Sequence, residues 1–211
     1  MVSLGYLRGA RRRRNRAVRL GQVVAVAAIL GLVPGWLAAQ QSPVEVIRAR
    51  NTAVEKILAA SGETVDATTR ERLKDVINGS IDFTELSKRS LGNAWNDRTE
   101  QERQQFTDVF RRLVRNTSVK KLEAYKYDRV DYSPATITGT TARVATVAHK
   151  GAKSAQVVYL MHQVGKEWKV YDVVIDGAST VRSYRDSFSR EIAKTSYAQM
   201  YDRLVRRANE S

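Results

Sequence analysis

Three observations predict an α+β domain in which N-terminal helices, a curved antiparallel sheet of four to five strands and C-terminal helices surround an apolar pocket. First, apolar residues recur at helical spacing until about Lys126 and then, from Asp128, alternate with polar ones. Second, Ser133-Pro134, Gly139, Gly151 and Gly165 interrupt the alternating region at intervals too short for a crossover, so successive strands pair antiparallel. Third, the run from Trp168 to Phe188 reads as a strand, an Asp176-Gly177 turn and an amphipathic helix capped by Ser179, whose apolar positions Val181, Tyr184 and Phe188 continue to Ile192.

The chain opens with a segment of a different kind. Its first 39 residues hold seven arginines, among them Arg11 to Arg14, and no acid; an apolar stretch from Val23 to Leu37 and then Ala38-Ala39 follow. That order is the order of an export signal, with cleavage expected after Ala39 and a mature domain over 40–211. At 1.5 Å per residue the apolar stretch would span roughly 22 Å, short of the ~30 Å hydrocarbon core of a bilayer. The residues expected of a twin-arginine signal do not follow the arginine pair. Of the formal charge of +14, the leader carries half, which leaves +7 on the remainder. A basic surface of that size suits anionic headgroups or acidic partners as well as plain solubility.

Within the domain, Ser42-Pro43-Val44-Glu45 is a capping box that opens a helix to about Ala60, where Ser61-Gly62 stops it. A second helix is expected over 66–78 before Gly79, and a third over 82–91 before Gly92. Thr99 to Glu102 is another capping box, opening the longest helix, which carries Phe106, Val109, Phe110, Leu113 and Leu122 on one face. Strands are expected over 129–132, 135–138, 142–150, 155–164 and 168–175, then helices over 179–193 and 197–208. In the fourth strand Val158 and Leu160 share one face while Val157, Tyr159 and Met161 share the other. Strict alternation in the fifth sets Trp168, Val170 and Val174 against Tyr171, Val173 and Ile175. Both faces are bulky and apolar, so one can pack on helices while the other lines a cavity, and the pattern does not assign which face does which.

Catalytic and metal chemistry finds little support. The chain has no cysteine, which removes disulfides, thiol catalysis and cysteine zinc sites. Its two histidines, His149 and His162, lack a partner at metal-binding spacing and are expected to be structural. Ser118 to Lys121 matches Ser-x-x-Lys without the companion motifs, and no Gly-x-Ser-x-Gly occurs. Asp172 and Asp176 sit about 13 Å apart along a strand, too far for a glycosidase pair, and Asp172 is expected to mark a polar strand position or a turn. Nucleic-acid binding is not expected, because the sharpest basic cluster lies in the leader and the other cations are interleaved with acids. The tripeptides Asn78-Gly79-Ser80 and Asn116-Thr117-Ser118 match glycosylation acceptors by coincidence.

The wording of Trp168 to Phe188, together with Asp82-Phe83-Thr84-Glu85-Leu86, Leu91-Gly92-Asn93-Ala94-Trp95 and the apolar positions Phe106, Phe110, Leu113, Leu122 and Tyr125, resembles the MlaC family of periplasmic phospholipid carriers. Thr117-Ser118 departs from the Thr-Tyr common in that family's long helix. The resemblance implies a carrier with no cofactor and no catalytic residues. Its implied partners are phospholipid, an inner-membrane ABC transporter complex with an MCE-domain protein, and an outer-membrane lipoprotein complex, with outer-membrane lipid asymmetry as the outcome. The lipid-binding residues expected on that reading are Phe106, Phe110, Leu113, Val147, Val158, Leu160, Tyr171, Val173, Tyr184 and Phe188. A basic mouth is expected among Lys120, Lys121, Lys126, Arg143, Lys150 and Lys153. Trp95 and Gly177 are expected to be structural. The alternatives are a carrier of another apolar ligand, such as a hopanoid or a hydrophobic solvent, and a pocket enzyme on a related α+β fold.

Overall fold

The computed structural model describes residues 41–62, 64–124 and 127–210. The expected leader with its cut at Ala39, Tyr125, Lys126 and the side chain of Leu122 lie outside them. Four helices come first: α1 (Pro43–Ala60), α2 (Ala67–Ser80), α3 (Phe83–Leu91) with a 3-10 turn at Gly92–Trp95, and α4 (Glu100–Ala124). Strands β1 (Arg129–Tyr132), β2 (Thr136–Thr138), β3 (Thr141–Lys150), β4 (Lys153–Val164), β5 (Glu167–Ile175) and β6 (Ala178–Ser179) follow, and α5 (Thr180–Lys194) and α6 (Tyr197–Glu210) close the chain.

Local chemistry sets most of these boundaries. The Thr99 box is complete: the Glu102 amide donates to Thr99 Oγ1 at 3.2 Å and the Thr99 amide returns a bond to Glu102 Oε2 at 2.8 Å. At α1 only half the box forms, with the Glu45 amide on Ser42 Oγ at 3.2 Å while the Glu45 carboxylate turns to Arg48. Asp66, Asp82 and Ser179 cap α2, α3 and α5 through their side-chain oxygens. Gly79 does not end α2, which runs one residue further. Ser80 donates its hydroxyl to the carbonyls of Val76 and Ile77, and Ile81 then turns extended to form a parallel bridge with Val170.

The sheet is open and antiparallel, in the order β1-β3-β4-β5-β6, with β2 beside β1 along the same edge of β3. Its sixth strand, beyond the five read from the sequence, is the two-residue β6, which folds back on the end of β5. The ladder between β4 and β5 is irregular at one point. Leu160 pairs with Asp172, but Met161 pairs with Val170, so Tyr171 is an extra residue in β5. The bulge resets the alternation. Trp168, Val170, Val173 and Ile175 therefore share the face of Val157, Tyr159 and Met161, and the strict pattern that placed Val173 opposite Val170 is corrected.

Two buried clusters flank this arrangement. The larger lies among the helices, centred on Phe106, Phe110, Leu113 and Phe188, with Leu73, Ile77 and Leu204. The smaller lies on the sheet, where Ile47 of α1 covers Val144, Met161, Trp168 and Val170. Ile81 packs against both.

Candidate functional site

Between the inner face of the sheet and helices α1 and α4 lies a cavity of about 550 Å3. The sheet contributes Val130 from β1, Thr146 and Ala148 from β3, Val157 and Tyr159 from β4, and Val170, Val173 and Ile175 from β5. Opposite them, α1 presents Asn51, Val54, Glu55 and Leu58, a spacing of three, four and seven that places all four on one stripe. Helix α4 presents Val114, Ser118 and Lys121 on the same principle. Ile81 and Leu86 close one side.

The wall is made largely of aliphatic side chains, and several of its polar groups are spent on the backbone or on each other. Thr146 Oγ1 donates to the Val157 carbonyl at 2.9 Å and Thr180 Oγ1 to that of Val173 at 2.9 Å, so both threonines turn their polar atoms to the strands. Asn51 Nδ2 donates to the Tyr132 hydroxyl at 3.0 Å, and Asn51 Oδ1 accepts from Arg50 Nη1 at 3.1 Å. Burial raises the Tyr132 phenol above its ordinary pKa, which keeps it neutral. Glu55, Ala59, Gly62, Lys121 and Asp128 are the exposed members of the lining and mark its opening to solvent. Arg50, half-buried in the lining, holds its guanidinium 5.7 Å from the Tyr159 ring centroid.

Of the ten residues expected to bind lipid, Val173 lines this cavity and the other nine lie elsewhere. Phe106, Phe110, Leu113, Tyr184 and Phe188 are brought together, but in the helical core. Phe110 meets Phe106 at 5.6 Å, Tyr184 at 4.7 Å and Phe188 at 5.5 Å between ring centroids, in largely edge-to-face geometry. Val147 and Val158 alternate out of phase with the cavity residues of their strands and fall on the outer face. Leu160 and Tyr171 line a separate groove on that outer face, with the Arg89 guanidinium 4.1 Å above the Tyr171 ring.

Among the expected basic residues Lys121 reaches the cavity, whereas Lys120, Arg143, Lys150 and Lys153 are exposed away from it. The α1 stripe at 51, 54, 55 and 58 is readable in the sequence as an amphipathic spacing, but not as part of a cavity wall.

Acid–base groups outside the cavity are engaged in the fold. His162 Nε2 lies 3.1 Å from Asp82 Oδ2, and His149 Nε2 lies 2.9 Å from Asp131 Oδ2. Asp172, buried on the outer face, accepts from Ser179 Oγ at 2.6 Å and from the Val181 amide at 3.0 Å, which fixes the strand-to-helix turn expected of it. Among the described residues no group of three side chains could hold a metal, and no helix is long and apolar enough to cross a membrane.

The protein-family model described as MlaC protein matches residues 49–206. No curated protein sequence matches the chain. Among solved structures, the chain is similar to the phospholipid-binding protein from Ralstonia solanacearum in complex with a phospholipid, at 20% identity and a TM-score of 0.72, over 81% of this chain and 98% of that one. The matched segment begins within α1, ends within α6 and encloses every residue of the cavity wall, and on that match the chain belongs to the MlaC family.

Proposed function

We propose that this chain is an exported phospholipid carrier that holds acyl chains in the cavity between α1, α4 and the inner face of the sheet. The observation that carries the reading is the cavity itself: about 550 Å3, walled largely by aliphatic side chains, with the Thr146 and Thr180 hydroxyls turned to backbone carbonyls. A binding and transport role without catalysis is also supported by family membership, and the similar Ralstonia solanacearum protein was solved with a phospholipid.

The energetics give such a protein its purpose. Bringing a two-chain lipid into water exposes on the order of 30 methylenes, at ~0.8 kcal/mol each, so about 20 kcal/mol opposes unassisted transfer. A dry cavity offsets most of that and leaves exchange with a membrane complex nearly balanced. Lys121, exposed at the opening, and Arg50, in the lining, are the cations within reach of a headgroup phosphate. On this reading the chain works in the periplasm after its leader is cut near Ala39. It passes lipid between an outer-membrane lipoprotein complex and an inner-membrane ABC transporter complex with an MCE-domain protein, sustaining outer-membrane asymmetry.

The test is native mass spectrometry of the mature protein purified from a periplasmic extract, followed by analysis of what it releases on denaturation. A stoichiometric two-chain phospholipid is the expected result. A protein that stays empty and takes no lipid from vesicles would overturn the proposal.

A further inference from the structure

The sheet face turned away from the cavity carries a second concavity, of about 600 Å3. Leu160, Tyr171 and Val174 are among its lining, and α3 and the first turns of α5 flank it. Lys88, Arg89, Arg182 and Arg185 also line it. The two acids present are already committed: Glu85 pairs with Arg89 at 2.6 Å, and Asp172 holds Ser179 and Val181. Among the described residues, Lys88, Arg182 and Arg185 have no acidic side chain within ion-pair distance. Three uncompensated cations around an apolar floor repel one another until an anion arrives.

Past Arg185 the concavity continues into a more apolar trough of about 400 Å3, bordered by Ala94 and Ile192. Gly92 and Arg185 belong to both. Gly92 has φ +62°, a backbone conformation that favours glycine, and its Cα faces the Arg185 stem, where a Cβ would stand 3.4 Å away in ordinary contact. The two parts together follow α5, whose 15 residues span roughly 22 Å at 1.5 Å per residue.

We propose that this groove docks an acidic segment of a partner protein. Carboxylates of the segment meet Lys88, Arg182 and Arg185, and an apolar side chain enters the trough over Ala94 and Ile192. Length favours a peptide, since roughly 22 Å accommodates about six or seven extended residues at ~3.3 Å each, whereas a single phosphate group needs a fraction of it. Shape disfavours a bilayer, because a flat surface does not enter a concavity between two helices. The proposal stands on the outer face and is independent of what fills the cavity on the inner one.

The experiment titrates a fluorescein-labelled ten-residue peptide of alternating Glu and Leu with the full mature protein, read by fluorescence anisotropy at low and physiological salt. Vesicles of phosphatidylcholine and phosphatidylglycerol are titrated in parallel. The expected result is saturable peptide binding that weakens with salt and falls about tenfold in Arg182→Glu/Arg185→Glu. A control pair at the sheet turns, Lys153→Glu/Lys166→Glu, leaves it unchanged. Lys88→Gln, which keeps both α5 arginines, provides a second variant with a smaller loss should the double variant melt early. Equal peptide affinity in wild type and both groove variants overturns the proposal. So does binding to the vesicles alone that the groove variants abolish. Bound-lipid content by mass spectrometry is expected to be unchanged throughout.

Discussion

Replacing Val173 by tryptophan separates the two faces of the sheet more sharply than any other single change. Val173 lines the cavity, and its neighbour Val174 lines the outer groove, so the same substitution at adjacent positions addresses opposite sites. An indole at position 173 projects into open space and displaces about five methylenes of a bound acyl chain. At ~0.8 kcal/mol each that is about 4 kcal/mol, close to a thousandfold in affinity. Because the indole enters an existing void of about 550 Å3, it avoids the overpacking penalty of a filled core, and the melting temperature holds or rises. Val174→Trp leaves lipid content intact and weakens binding at the outer groove. The assay is native mass spectrometry after reconstitution with phosphatidylglycerol vesicles, beside a thermal melt of each variant. Stoichiometric lipid in Val173→Trp, or an empty Val174→Trp that still melts normally, would refute the assignment of the acyl chains to the inner face.

Phe110→Ala removes a fully buried ring with three aromatic neighbours and is expected to destabilise by ~3–5 kcal/mol in urea unfolding, while the folded fraction keeps its lipid. Asp172→Ala strands the Ser179 hydroxyl and the Val181 amide at a buried turn; a loss of ~1–3 kcal/mol is expected, smaller for Asp172→Asn, with the midpoint of the same urea transition as the readout. Hydrogen bonds from Thr69 and Thr99 hold the Asp66 and Glu102 carboxyls below their ordinary values of 3.8 and 4.5. Folded values below the unfolded ones give stability that is present above those ordinary values and lost as pH falls through the lowered ones. The melting temperature should therefore be level from neutrality to about pH 5 and drop below about pH 4, less steeply in Asp66→Asn/Glu102→Gln.

The parts of the fold readable from the sequence are those decided within a few residues. Ser42, Asp66, Asp82, Thr99 and Ser179 start their helices because each side chain reaches an amide three residues on. The cavity depended on contacts between distant segments. Helix α4 carries an aromatic stripe with Phe106 and Phe110 that draws attention, yet it serves the helical core, while the less apolar stripe of Val114, Ser118 and Lys121 looks into the cavity. Nothing local to the helix says which stripe will face a cavity. The extra residue in β5 is likewise invisible in the sequence, since it is defined by pairing with β4, and it alone decides that Val173 faces inward. The α1 stripe was legible as an amphipathic helix, but a helix stripe does not reveal which sheet it will cover.

Tyr171 has a further consequence for how such strands vary over time. As the surplus residue between two half-strands that already agree in phase, it occupies a position where a deletion is nearly silent. A homologue lacking it would bring Asp172 directly after Val170 in an unbroken ladder, with every cavity residue of β5 still inward and the Asp172 carboxylate still outward toward α5. The aromatic surface under Arg89 would be lost, and the inner wall would be spared. One insertion event is then enough to furnish the outer face with a ring while the inner face is inherited unchanged.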